Sequence, residues 1–170
     1  WQDAHGGVVP AELLRPAVAA AAKGGHGEAL RVLKDGGAEG RVWATQFGFK
    51  SRHGTADAIF LVRRLLERAW AEKNGRLVLL ALDWAKAFDS VSPDALCLSL
   101  ERFGVPDHFV QVVRAICTNR TFAVRDAGVT SATRPQVVGI SQGCPLSPFL
   151  FAIVMTVLLH DAKREAAPSL

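Results

Sequence analysis

The chain has 170 residues, 49% of them hydrophobic and 21% charged, and its 20 Lys and Arg against 16 Asp and Glu leave a net charge of +4. This composition excludes an acidic disordered chain and a low-complexity repeat, is sufficient for one packed core, and is compatible with a polyanionic partner. Three cysteines at wide spacing and five scattered histidines point to a reducing compartment rather than to a disulfide framework or a zinc site. The sequence begins at Trp1, has Met155 as its single methionine and no tyrosine, and so reads as a fragment.

Residues 1–44 form an arm rich in Ala and Gly. It carries an Ala-dominated helical pattern near Glu12 to Lys23 and a weaker one near Glu28 to Lys34. Large apolar residues are too few there to bury a strong face, so a divergent, loosely packed arm is expected, with the organised domain over 45–170. From Thr55, a suitable N-cap, Ile59, Val62, Leu65, Leu66, Ala69 and Trp70 recur at helical spacing until Asn74 and Gly75. The unbroken apolar run Leu77 to Leu82, bounded by Arg76 and Asp83, predicts a strand buried on both faces.

Ser92 and Pro93 open a helix that Gly104 closes, and Pro106 opens another that runs to about Asn119. Two strand-like pieces follow, Thr121 to Arg125 and Arg134 to Val138, joined through Asp126 and Gly128. A last helix is expected from Ser147 or Pro148 to Lys163. Its apolar stretch, Phe149 to Leu159, is about half of the roughly 20 residues a membrane span requires, so it reads as a buried helix. No signal peptide is visible. The fold class is α+β, with a small antiparallel sheet, its strands drawn from distant parts of the chain, packed on several helices.

Three strings carry chemistry. In Leu80-Ala81-Leu82-Asp83-Trp84-Ala85-Lys86-Ala87-Phe88-Asp89 a carboxylate stands where the predicted strand ends. An aspartate there suits a hard cation such as Mg²⁺, and would serve equally to cap the turn. In Gly139-Ile140-Ser141-Gln142-Gly143-Cys144-Pro145-Leu146-Ser147-Pro148 the glycines allow close backbone approach and Gln142 offers both a donor and an acceptor. The same string is also a plain Gly/Pro turn before a core helix. In Gln46-Phe47-Gly48-Phe49-Lys50-Ser51-Arg52-His53-Gly54-Thr55 basic residues alternate with aromatic ones, which fits a nucleic-acid backbone or a solvated loop.

Together, and in this order, the strings resemble the reverse transcriptase domain of non-LTR (LINE-type) retrotransposons over about residues 46–165: Asp-x₃-Ala-Phe-Asp, then G-x-x-Q-G-x-x-x-S-P, preceded by a Q-F-G-F segment. The resemblance implies an RNA-directed DNA polymerase, a nucleotidyltransferase that uses two Mg²⁺ ions, an RNA template, a DNA primer and dNTPs. It further implies that Asp83 and the Trp84 carbonyl are metal ligands, and that Lys86, Ala87, Phe88, Gln142 and Gly143 bind nucleotide, with Phe88 excluding a 2′-hydroxyl. Lys50, Arg52, Ser147 and Pro148 would lie along nucleic acid, and Asp89 would be structural. A nuclear or cytoplasmic location follows from the same resemblance; neither a membrane nor a protein partner is expected. Lys50 stands where the family carries Arg, which keeps the charge and loses the planar fork.

The family completes its metal site with an aromatic-x-Asp-Asp motif, and no Asp-Asp pair occurs in this sequence. Asp161, the one later candidate, reads as a solvated helix residue. The upstream fingers string is also absent; Leu14-Arg15-Pro16-Ala17 is a faint echo. One aspartate does not satisfy a two-metal mechanism, so this chain alone is expected not to polymerise; the alternative is a catalytically dead remnant that at most binds nucleic acid. Gly139-Ile140-Ser141-Gln142-Gly143 also matches the G-x-S-x-G nucleophile elbow. A hydrolase is disfavoured because His160 and Asp161 are adjacent and in the wrong order, and Pro145 and Pro148 interrupt the helix an elbow requires.

Overall fold

The computed structural model describes residues 37–166 together with 27, 30, 31 and 34; the Glu12 to Lys23 pattern lies outside them. Residues 27, 30, 31 and 34 are helical, and Leu30 packs against the core. A 3₁₀ turn at Ala38–Arg41 follows, then α1 (Thr55–Ala71), α2 (Pro93–Phe103), α3 (Asp107–Cys117), four two-residue strands and α4 (Ser147–Ala166). The α+β class holds. None of these helices is long and apolar enough to cross a membrane.

The core is helical. Leu96, Leu100 and Phe103 of α2 meet Phe109 and Val113 of α3 on one side, and Phe149 and Ile153 of α4 on the other, all essentially buried. Local chemistry sets the helix limits. The Ser92 side chain accepts the Ala95 N–H at 3.1 Å, Pro93 occupies the first turn, and Gly104 ends α2 at φ 84°. The Arg41 guanidinium donates to the Phe103 carbonyl at that same end and lies 4.7 Å over the Phe103 ring. A cation at a helix C-terminus is favourably placed against its dipole. Thr156 accepts the Trp43 N–H at 3.1 Å. Ala38 and Val42 are buried in the same core, so residues 38–43 are docked on α2 and α4.

Several expectations require correction. Gly54, not Thr55, is the N-cap of α1; Thr55 is its first helical residue, and the Asp57 carboxylate accepts the Gly54 N–H at 2.8 Å. No residue of α1 is buried, and its Trp70 is 76% exposed. Ion pairs within the segment, Arg63–Glu67, Arg64–Glu67 and Arg68–Glu72, run along its surface.

Leu77 to Leu82 is not a strand: no described segment pairs with it, and Val78, Leu80 and Leu82 are 91%, 76% and 73% exposed. An apolar run becomes a buried strand only when a neighbour takes its backbone hydrogen bonds and other elements cover its faces, and neither is found among the described residues.

The remaining strand prediction also changes. Instead of two strands of five residues there are four short pieces from one local stretch: β1 (Thr121–Phe122) pairs antiparallel with β4 (Arg134–Pro135), and β2 (Arg125–Asp126) with β3 (Val129–Thr130). All eight residues are exposed. The ladder breaks where the Ser131 hydroxyl accepts the Val124 N–H at 2.9 Å, a side chain competing with backbone pairing.

Asp161 is not simply solvated. Its two oxygens receive Arg102 Nη1 and Nη2 at 2.7 and 2.5 Å, a bidentate pair that ties α4 to α2.

Candidate active site

The Asp83–Asp89 string continues from this unpaired segment into a tight turn. Lys86 sits at φ 52°, the Ser90 N–H donates to the Lys86 carbonyl at 2.9 Å, and the Ser90 hydroxyl donates to the Ala85 carbonyl at 3.2 Å. This reversal turns Phe88 toward α4. The Phe88 ring stacks on Phe151 with centroids 4.7 Å apart and 22° between planes, and meets Phe49 edge-on at 6.0 Å. Three segments distant in sequence therefore supply one aromatic cluster, and its offset and edge geometries are those that ring quadrupoles favour.

The Gly139–Gly143 loop is fastened to that turn. The Gly139 N–H donates to the Val91 carbonyl at 2.9 Å, the Ile140 N–H to the Phe88 carbonyl at 2.8 Å, and Gln142 Nε2 to Asp89 Oδ1 at 3.1 Å. Gly139 is required at this approach. It stands at φ 92°, and a Cβ there would lie 3.0 Å from Asp89 Cα and 3.2 Å from its carbonyl oxygen. Gly139→Ala is therefore expected to cost about 1–3 kcal/mol in urea unfolding; an unchanged midpoint would show that the two loops are not in contact.

Between the loops lies a cavity of about 340 Å³ lined by Phe49, Phe88, Gln142, Gly143, Ser147 and Pro148. A neighbouring cleft of about 380 Å³ shares Phe49 and Pro148 and adds the basic groups Lys34, Lys50 and His53. Glu39 holds the loop that carries Lys50: its carboxylate accepts from the Ser51 N–H, and from the Ser51 hydroxyl at 3.1 Å, with Lys34 Nζ at 3.6 Å. Burial pushes the Glu39 carboxyl up, but the Ser51 and Lys34 donors outweigh it, so its pKa lies below the usual 4.5. A folded-state pKa below the unfolded one stabilises the fold above about pH 4.5, and that contribution is lost as pH falls through the lower, folded-state value. Glu39→Gln is expected to lower the melting temperature at neutral pH, with the gap closing well below pH 4.5. A gap that does not change with pH would remove the carboxylate from this role.

Of the residues singled out in the sequence, Phe88, Gln142, Gly143, Ser147 and Pro148 share the cavity, and Lys50 lines the cleft beside it. Lys86 and Ala87 lie on the turn that carries Phe88, and Asp89 accepts from Gln142. Asp83, Trp84 and Arg52 are exposed and line neither space. For a pair of Mg²⁺ ions the donors fall short: among the described residues no three carboxylate, imidazole or thiol groups converge, and the one Asp89 oxygen that faces the loop is taken by Gln142. Asp83 offers one carboxylate, which does not hold two ions.

Two residues that meet Phe88 were missed as site residues. Phe49 was visible only as part of its string, and Phe151 only as one of many apolar residues in α4. Arg120, whose guanidinium reaches the Gly139–Ser141 stretch, had no local signal at all. Ser141 is not arranged as a nucleophile: its hydroxyl receives Arg120 Nη1 at 3.1 Å, while Asp161 is engaged by Arg102.

The family described as reverse transcriptase (RNA-dependent DNA polymerase) matches residues 30–167. The chain is 34% identical over 121 residues to the Retrovirus-related Pol polyprotein from type-2 retrotransposable element R2DM of Drosophila melanogaster, covering 71% of this chain and 11% of that protein. It is 37% identical over 117 residues to the corresponding polyprotein from type-1 retrotransposable element R2 of Popillia japonica, covering 67% and 16%. With the RNA-directed DNA polymerase from mobile element jockey of Drosophila melanogaster it shares 32% over 108 residues, 64% of this chain and 12% of that protein. The chain thus spans between about a tenth and a sixth of the length of these relatives.

Proposed function

Because the chain belongs to the reverse transcriptase (RNA-dependent DNA polymerase) family, we propose that it forms the nucleotide-receiving part of a retrotransposon RNA-directed DNA polymerase, and that the cavity between the two loops takes the incoming dNTP. One observation carries this reading: the three strings that bear the family resemblance converge on a single cavity of about 340 Å³. That volume is at the lower end of small-ligand sites, and its lining is mostly apolar with a few polar groups, as such sites are.

The residues divide the work. Phe88, backed by Phe151, is a wall against which the sugar rests, and the stacking resists its swinging aside. Asp89 takes one N–H of the Gln142 amide, which leaves the other N–H and the carbonyl oxygen for nucleotide. The backbone of Lys86 and Ala87 lies toward the triphosphate. Lys50 and Arg52, with Ser147 and Pro148, face template and primer phosphates, where cations supply sequence-independent affinity. A divalent ion, Mg²⁺ in this reading, would take Asp83 and the Trp84 carbonyl as ligands and supply charge neutralisation at the phosphates. The described residues do not supply the remaining donors. The place of action in this reading is nuclear or cytoplasmic, where template RNA is found.

Primer extension on an RNA template with a DNA primer, dNTPs and Mg²⁺ tests the reading. A longer polyprotein chain that includes these residues and a paired-aspartate motif is expected to incorporate nucleotide, and the 170-residue chain alone is not. Failure of the longer chain to extend would overturn the polymerase reading. Incorporation by the isolated chain would overturn the claim that its own carboxylates are insufficient.

A further inference from the structure

Arg120 follows α3, is half-buried, and reaches neither nucleotide-facing cavity nor basic cleft. Its guanidinium nevertheless makes three hydrogen bonds. Nε donates to the Cys117 carbonyl at 3.3 Å, Nη1 to the Ser141 hydroxyl at 3.1 Å, and Nη2 to the Gly139 carbonyl at 2.5 Å. One planar group thus joins the C-terminal end of α3 to both ends of the Gly139–Ser141 stretch. The site suits a cation, because Cys117 is the last residue of α3 and its carbonyl belongs to the negative end of the helix dipole.

On its opposite side, among the described residues, the same loop is hydrogen-bonded to the Phe88–Val91 turn through the Gly139 and Ile140 N–H groups and the Gln142 side-chain amide. Under the loop lies a cavity of about 40 Å³ bordered by Val113, Ile116, Cys117, Arg120, Ser141 and Cys144. The border is largely apolar and offers no second charged donor to replace the guanidinium. Without Arg120 the Gly139 carbonyl and the Ser141 hydroxyl lose their shared donor, and the loop has space to settle into.

We propose that Arg120 is a positioning residue: it holds the Gly139–Gly143 loop at the height that presents Gln142 to the cavity, and it touches no substrate itself. The link to nucleotide rests on the polymerase reading above; the hold on the loop does not. Three bonds at fixed angles require the planar fork, and a lysine ammonium at the end of a flexible stem does not reproduce them. Charge alone is therefore insufficient, and Arg120→Lys should behave much like Arg120→Gln.

Two measurements decide the matter. In hydrogen–deuterium exchange on this chain, both variants are expected to speed exchange of the Gly139 and Ile140 amides, which donate to Val91 and Phe88, by about tenfold or more, the loss associated with a charge-assisted bond. The Leu100 and Ile153 amides, in α2 and α4, should be unchanged. Unchanged loop exchange overturns the proposal, and so does a uniform rise at all these amides, which would mark general destabilisation. In the longer polymerase chain, Arg120→Lys is expected to raise KM for dNTP by about tenfold with kcat within about twofold, because a displaced Gln142 weakens nucleotide binding. A fall in kcat at constant KM, the sign of a reduced folded fraction, overturns the positioning role. If the unsubstituted longer chain fails to incorporate, the polymerase reading is what fails, and exchange still decides whether Arg120 holds the loop.

Discussion

Asp83→Ala, made in a longer polyprotein chain that carries this domain, is expected to reduce primer extension by about 10³-fold or more while leaving the domain's unfolding midpoint unchanged. The second half of this expectation gives the first its force. Asp83 is exposed, lies on a segment that pairs with nothing described, and has no hydrogen-bond or ion-pair partner among the described residues. Substitutions at such positions alter stability by within about 0.5 kcal/mol. A loss of extension is then a loss of chemistry, because folding has nothing at stake in this carboxylate. A charged group at a phosphoryl-transfer centre contributes several kcal/mol to stabilising charge that develops in the transition state, which sets the thousandfold scale. Extension by Asp83→Ala within about tenfold of the parent would remove Asp83 from the reacting centre.

Phe88→Ala in the same chain is expected to relax discrimination between dNTP and rNTP by up to about 10²-fold, measured as the ratio of kcat/KM for the two substrates. The ceiling follows from the nature of the wall: an apolar surface rejects an added hydroxyl by only about that factor. The Phe88 ring is half-buried, and it is held by Phe151 at 4.7 Å and Phe49 at 6.0 Å. Truncation therefore also costs about 1–3 kcal/mol of stability, below the value for a fully buried ring. Because both substrates are compared within one variant, the loss of folded protein cancels from the ratio. A destabilised variant whose ratio equals the parent's would show that Phe88 is a packing residue alone.

Much of the helical architecture was legible in the sequence because helix signals are local. Ser92-Pro93 at the start of α2 and Gly104 at its end are a cap, a preset φ and a left-handed stop, and the structure contains all three. The apolar run in α4 likewise became a core helix. The strand over Leu77 to Leu82 could not be judged in this way. Its apolar run reports that the segment would be stable if covered and paired, and carries no information on whether a partner is present. In α1 the helical spacing is matched by a helix over Thr55–Ala71, but spacing carries no information on what covers the stripe, and no residue of α1 is buried.

By itself the sequence determined the α+β class, the helices and the three strings on which family membership was legible, because each of these is written in contiguous residues and local backbone preference. The tertiary structure alone decided which of those residues share a cavity, that Gln142 meets Asp89 from 53 positions away, that Asp161 is fastened to Arg102, and that Arg120 reaches under the Gly139 loop. These contacts depend on how helices and turns stack, and neither spacing nor composition encodes a distance between residues so far apart in the chain.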